Sequence, residues 1–252
     1  MLPAPVNAIL QELLTSARAV LGEQFVGMYL YGSLSSGDFN PDTSDIDFVV
    51  VTEGALPPET VAGLEALHKR LWAAGSYWAA HLEGTYIPRA AWRRYDPAMP
   101  PVPSVNEGHF YVGGHGSDWV IQRQVVRAGG VVVAGPPPAS LIDPVTPDEL
   151  RAAVAGIIRG WWGPVVLADE AFLRRPDYQA FAVLTMCRAL YVLAHGAIVS
   201  KPAAARWAVA ALPERWHSLI EQAAAWRYGT EIGRVDEIQA LIRYTVDQAA
   251  NT

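Results

Sequence analysis

The sequence predicts an α/β (α+β) domain with a small mixed sheet, followed by an α-helical bundle. Three observations carry that expectation. Over the first 145 residues, short apolar runs suited to buried strands alternate with longer amphipathic segments, the order of helices packed on a sheet. At Thr146-Pro147-Asp148-Glu149 the character changes: Thr stands where an N-cap belongs, Pro at the first helical position and Glu at the third, and a series of helical segments follows. The composition, 51% hydrophobic and 17% charged over 252 residues, is that of a well-packed chain long enough for two modest domains. Their limits are read as residues 1–145 and 146–252.

In the first domain, residues 5–21 read as a helix, 25–31 as a buried strand, 45–52 as a second strand and 58–74 as a second helix. Tyr77 to Pro88 reads as extended. The Pro- and Gly-rich stretch from Pro97 to Gly116 reads as an irregular excursion, a place for substrate contacts on a loop. Asp118 to Arg127 recovers helical periodicity, and the apolar run Gly129 to Gly135 is stopped by Pro136-Pro137-Pro138. In the second domain Asp177 to Ala194 is a strong amphipathic helix closed by Gly196, with three more helices over Ser200–Leu212, Pro213–Tyr228 and Glu231–Ala250.

The chemistry-bearing pattern lies in Met28-Tyr-Leu-Tyr-Gly-Ser-Leu-Ser-Ser-Gly37, followed by Ser44-Asp-Ile-Asp-Phe-Val-Val-Val51. Asp45 and Asp47 are two apart, so strand alternation sends both carboxylates to one face and Ile46 to the other. Two hard oxygen donors side by side suit Mg²⁺ shared with substrate phosphates. Gly32 permits close backbone approach to a phosphate, and the Ser33 hydroxyl with the amides after it can donate to phosphate oxygens. The bland alternative is an ordinary turn and loop punctuation before a buried strand.

Composition excludes several classes. The single cysteine, Cys187, cannot make an intrachain disulfide and falls in an apolar helical pattern, so a cytoplasmic setting is expected. No run approaches a membrane span, so no membrane partner is expected. Of the net charge of -6, all lies in the first half: residues 1–146 hold 14 Asp/Glu against 8 Lys/Arg, and the remainder holds 11 of each. That imbalance argues against a nucleic-acid acceptor and is compatible with a cationic one. The six histidines show no spacing that would gather zinc, and only His109 and His115, in the irregular stretch, stand out.

The constellation of Gly32-Ser33, Ser44 and Asp45-Ile-Asp47 resembles the nucleotidyltransferase superfamily that includes DNA polymerase beta. Leu184-Thr-Met-Cys-Arg188-Ala-Leu-Tyr191, His195-Gly196-Ala-Ile198-Val-Ser-Lys201-Pro, Arg206-Trp207, Leu212-Pro213 and Tyr228-Gly229 narrow the likeness to aminoglycoside nucleotidyltransferases, the streptomycin and spectinomycin adenylyltransferases, over nearly the whole chain. The resemblance implies transfer of AMP from ATP to an antibiotic hydroxyl, in a cleft between a nucleotidyltransferase domain and a helical domain. It implies Mg²⁺ as cofactor, ATP as co-substrate and a cationic small-molecule acceptor, an aminoglycoside or aminocyclitol; a monomer is expected.

By the same resemblance Asp45 and Asp47 hold metal, and Gly32, Ser33 and Ser44 cradle the nucleotide. Arg188 and Lys201 contact ATP phosphates, Tyr244 is an aromatic near the nucleotide, and Glu83 is the base on the acceptor hydroxyl. On residue chemistry alone Glu83 could equally be a third metal ligand or an edge-strand charge. Arg188 could snorkel, pair with a carboxylate or meet a phosphate, and Lys201, at a helix start, could face an anion or only solvent.

The sequence departs from the streptomycin-modifying pattern at the acceptor. Its central loop reads Asn106-Glu-Gly-His109-Phe-Tyr111 with no Trp before Trp119, and Asp177, Tyr178 and Trp162 are the plausible acceptor contacts ahead of Arg188, with His109 in the loop. Spectinomycin or an unrelated aminocyclitol is therefore the expected acceptor rather than streptomycin. Asp177 could instead be an N-cap, and Trp161-Trp162 could pack a core. A protein adenylyltransferase acting on a Tyr, Ser or Thr hydroxyl and a catalytically silent nucleotide-binding regulator are the alternatives.

Overall fold

A computed structural model describes residues 3–250 apart from Thr43, Glu170, Tyr228 and Gly229. It divides into two compact units, Met1–Pro144 and Val145–Thr252.

The first unit is built on six strands in the order β5-β4-β3-β2-β1-β6. Its elements run α1 (Ala4–Leu21), β1 (Phe25–Leu30), a single helical turn α2 (Ser33–Ser36), β2 (Ile46–Thr52), α3 (Pro58–Ala73), a second single turn α4 (Tyr77–Ala80), β3 (Leu82–Pro88) and α5 (Arg89–Arg93). Then come β4 (Val102–Asn106), β5 (His109–Gly113), α6 (Asp118–Gly129), β6 (Val131–Ala134) and α7 (Pro138–Leu141). β2 and β3 are parallel, and every other neighbouring pair is antiparallel, so the sheet is mixed as the sequence predicts.

Alternation along the strands divides the core in two. Met28, Leu30, Ile46, Phe48, Val50, Leu82 and Tyr86 meet the apolar stripe of α1 (Val6, Leu10, Leu13, Ala17) and Leu64, Leu67 and Leu71 of α3. Tyr29, Tyr31, Val49, Val51 and Ile87 point the other way, toward Trp92 of α5, Val126 of α6 and Leu141 of α7. Each fully buried aliphatic side chain contributes about 1.5–3 kcal/mol, so both faces fix the register.

Two readings of the sequence are corrected here. Tyr77–Ala80 is a helical turn, not extended chain; only Leu82–Pro88 is strand. The stretch 97–116 is not irregular: it contains β4 and β5, a hairpin that extends the sheet beyond β3. Its two turn residues, Glu107 and Gly108, have φ of 46° and 78°, the signature of a type I′ turn.

The second unit is helical. Thr146 and Glu149 form a reciprocal capping box at the start of α8 (Pro147–Ile157), which continues as a π-helical stretch over Ile158–Val166. α9 (Ala171–Arg174), α10 (Pro176–His195), α11 (Lys201–Ala211), α12 (His217–Ala224) and α13 (Val235–Ala250) follow. α10 is the central element and packs against α8, α11, α12 and α13. The segment read as one helix from Pro213 is a 3-10 turn followed by α12, and the last helix starts at Val235 rather than Glu231. Tyr228 and Gly229, part of the family resemblance, lie outside the described residues. No helix among the described residues is long and apolar enough to cross a membrane.

Candidate active site

The site begins where β1 ends. Tyr31 donates its amide to the Asp47 carbonyl at 3.1 Å, tying the end of β1 to the start of β2. The chain then turns at Gly32 with φ +61°, and a Cβ there would collide with Oδ2 and Cγ of Asp47. Glycine is therefore required twice, for the backbone angle and for the carboxylate pressed against it. Ser33 opens the turn α2, whose Ser35 and Ser36 amides close onto the Gly32 carbonyl at 3.3 and 3.1 Å.

The parallel pairing of β2 and β3 sets Asp47 opposite Glu83, with Ile46 opposite Leu82. The two carboxylates thus share one rung and one sheet face, the placement the topology predicts for Glu83. The same rung runs on. Gly84 pairs Val105 and Thr85 pairs Ser104, which carries Glu83 toward Asn106, and Asn106 pairs His109. Asn106 and His109 are both exposed at the hairpin tip. The hairpin therefore brings His109 toward Glu83.

Asp45 stands one residue ahead of β2 rather than within it. Its Oδ1 lies 2.9 Å from Nδ1 of His81, which immediately precedes β3. The sequence does not single out His81 among the six histidines. The signal was available: the parallel register that pairs Asp47 with Glu83 puts position 45 against position 81.

Tyr31, 95% buried, was also missed. Burial, and then the charges of Asp47, Glu83 and Asp118 and the Tyr111 phenol, hold its hydroxyl well above the usual phenol range, so it stays a neutral donor beside the carboxylates. Asp118, in the first turn of α6, keeps solvent contact yet is crowded by protein. That crowding raises its carboxyl, against hydrogen bonds from the Asp118 and Gly116 amides. Beneath them Thr85 donates to the Pro103 carbonyl at 3.0 Å and so accepts from the Ser104 hydroxyl at 2.7 Å. His115 packs on Trp119 at 4.1 Å, and desolvation lowers it to about 4.

Ser44 is engaged locally, its hydroxyl accepting from the Asn40 amide at 3.0 Å while its own amide donates to the Asn40 carbonyl. No three His, Cys, Asp or Glu side chains among the described residues gather as a metal cage.

In the second unit, Arg188 lies partly exposed in the C-terminal half of α10. Lys201 is the first residue of α11, just after the Ser200 cap, with Nζ 5.1 Å from the Phe181 ring centroid. Phe181 in turn stacks on Trp162 at 5.9 Å and packs on Tyr178 at 5.3 Å, so Lys201, Tyr178 and Trp162 belong to one aromatic group. Trp162 is buried and Trp161 exposed. Burial raises the Tyr178 hydroxyl, with a hydrogen bond donated by the Trp161 indole N–H opposing it. Asp177 is not the N-cap: Arg175 holds that place, Pro176 opens the helix, and Asp177 pairs with Arg175 at 2.6 Å. Tyr244 packs against Trp216 at 6.0 Å.

Comparison with known proteins agrees with this architecture. Residues 140–252 match the family described as aminoglycoside adenylyltransferase, C-terminal domain, and residues 15–78, which include Gly32, Ser33, Asp45 and Asp47, match the nucleotidyltransferase domain. The chain is 25% identical over 242 residues to spectinomycin 9-adenylyltransferase of Campylobacter jejuni, covering 88% of this chain and 83% of that protein. It is 24% identical over 262 residues to aminoglycoside (3'') (9) adenylyltransferase of Klebsiella pneumoniae, covering 96% and 94%. In fold it is similar to the crystal structure of spectinomycin adenyltransferase AAD(9) from Enterococcus faecialis with ATP and spectinomycin, with a TM-score of 0.74 at 16% identity over 97% of this chain and 99% of that one. With a match to the nucleotidyltransferase domain in its first half and to this C-terminal domain in its second, the chain is an enzyme with a nucleotidyltransferase domain, and it is similar along its length to the aminoglycoside adenylyltransferases.

Proposed function

We propose that the protein transfers AMP from ATP to a hydroxyl of an aminoglycoside or aminocyclitol, with release of pyrophosphate. The observation that carries this reading is the rung on which Asp47 faces Glu83 while Gly32 is pressed against the Asp47 carboxylate. The donor set suits Mg²⁺: that ion takes one or two carboxylates and completes its shell with phosphates and water, rather than with an all-protein cage. Asp45 and Asp47 would hold it, and bound there it would supply charge stabilisation at the α-phosphate and the leaving pyrophosphate.

The chain's own groups do the rest. Glu83 takes the proton from the acceptor hydroxyl as that oxygen attacks the α-phosphorus and the bond to pyrophosphate breaks. Gly32, Ser33 and Ser44 line the nucleotide, Arg188 and Lys201 carry phosphate charge, and Tyr244 is the aromatic near the nucleotide. Asp177, Tyr178, Trp162 and His109 contact the acceptor. The relatives named for spectinomycin and aminoglycosides support that acceptor class, as does the acidic balance of the first half.

The test is pyrophosphate release with ATP, Mg²⁺ and streptomycin, spectinomycin, kanamycin or gentamicin, with mass spectrometry of the product. Spectinomycin or another aminocyclitol is expected to stimulate release and gain one AMP. If none of the four does so while a protein acceptor does, the small-molecule reading is wrong.

A further inference from the structure

We propose that His81 is a positioning residue for Asp45, holding one carboxylate oxygen so that the other is presented to the metal. The inference rests on the metal role proposed for Asp45 and adds to the site a residue outside the two-aspartate pattern.

The contact is built from the backbone outward. His81 Nδ1 and Asp45 Oδ1 are 2.9 Å apart. An ionised carboxylate can only accept, so Nδ1 carries the hydrogen and donates. Neither partner reaches across on a long flexible stem: each is the residue immediately before one of two parallel paired strands. The Ile46 amide donates to the His81 carbonyl at 2.8 Å, and the His81 amide donates to the Trp78 carbonyl at 3.2 Å, so both backbones are fixed where the side chains meet. The imidazole is further clamped by Tyr77, with ring centroids 4.2 Å apart, and touched edge-on by Trp78. A surface ion pair between mobile side chains has none of these restraints and contributes little.

The chemical consequence follows from the lone pairs. With Oδ1 occupied by an N–H, Asp45 retains Oδ2 for a cation and loses the freedom to rotate. Ligating carboxylates are commonly held this way, and removing such a partner weakens metal affinity by about 10- to 100-fold.

The experiment measures Mn²⁺ affinity by electron paramagnetic resonance on the full chain, with and without α,β-methylene-ATP, for the wild type, His81→Phe, His81→Asn and Asp45→Asn. His81→Phe is expected to weaken Mn²⁺ about 10- to 100-fold, with an unchanged thermal midpoint. His81→Asn, whose amide nitrogen can stand where Nδ1 stood, is expected to recover most of the loss. In turnover the Mg²⁺ concentration for half-maximal rate should rise in His81→Phe, while kcat at saturating Mg²⁺ falls less. Wild-type or tighter Mn²⁺ binding by His81→Phe overturns the proposal, as does His81→Asn behaving like His81→Phe. Undiminished binding by Asp45→Asn instead overturns the metal role itself, a failure that His81 variants cannot mimic.

Discussion

Gly32 and Asp47 are in contact so close that no side chain fits between them: a Cβ on Gly32 would overlap the carboxylate. The turn and the acid are thus one unit, and moving either moves the other. Gly32→Ala is expected to cost on the order of 1–3 kcal/mol of stability from the positive φ. Displacing Asp47 by up to an ångström should lower transfer about a hundredfold. Thermal denaturation and the pyrophosphate assay measure the two effects separately.

Asp47→Asn is expected to abolish transfer in a folded protein, because an amide removes the metal-binding charge with little change in volume. Glu83→Gln is expected to retain ATP·Mg²⁺ affinity by calorimetry and to lower the rate by roughly two to four orders of magnitude. Loss of nucleotide binding in Glu83→Gln would make that residue a metal ligand instead of the base.

Acid should loosen the first unit through His68. This side chain is 97% buried, lies 2.8 Å from the Tyr86 hydroxyl, and desolvation lowers it to about 4 from an ordinary 6.5. The unfolded chain takes up its proton near 6.5 and the folded chain only near 4, so stability is complete above 6.5 and falls as pH drops toward 4. The loss is about 3 kcal/mol. Urea titrations between pH 7.5 and 4.5 should show it, and His68→Gln should flatten the profile.

Acceptor affinity should decrease as salt is raised, since a cationic ligand on an acidic domain is held partly by charge. Titrations at increasing ionic strength check this. A salt-independent affinity would remove charge from the account of acceptor choice.

Glu107→Asn is expected to stabilise the hairpin. Both positions of its turn need positive φ, and Glu107 occupies that region at 46° where Asn is better tolerated. The gain is about 1 kcal/mol, or about 2–4 °C in a thermal scan.

The helices and strands of residues 4–73 were legible because each carried a clean period and a recognisable breaker, and Glu83 could be placed beside Asp47 because a strand-helix-strand connection favours parallel pairing. The hairpin was not legible. Pro103 lies inside β4, Glu-Gly is a poor type I′ signal, and the exposed faces of β5 erase its alternation. The Tyr77–Ala80 turn was hidden by aromatic residues that read as strand. His81, Tyr31 and Asp118 carry no motif; only the sheet register and the packing of α6 reveal them. That Arg175 occupies the N-cap position of α10 and pairs Asp177 was masked by Asp being the commoner cap.

The β4–β5 hairpin ends in a two-residue turn whose Gly108 is packed beneath the Trp72 ring, while Asn106, Glu107 and His109 around it are open to solvent. Asn106, Glu107 and His109 can change without shifting β2 or β3, whereas Gly108 is held by its positive φ and by Trp72. On the proposed reading one of the acceptor contacts, His109, is thus mechanically separable from the groups that do the chemistry. Selection could then retune the enzyme toward a new drug through few substitutions at little risk to the fold, and an engineer could graft tips between relatives in the same way.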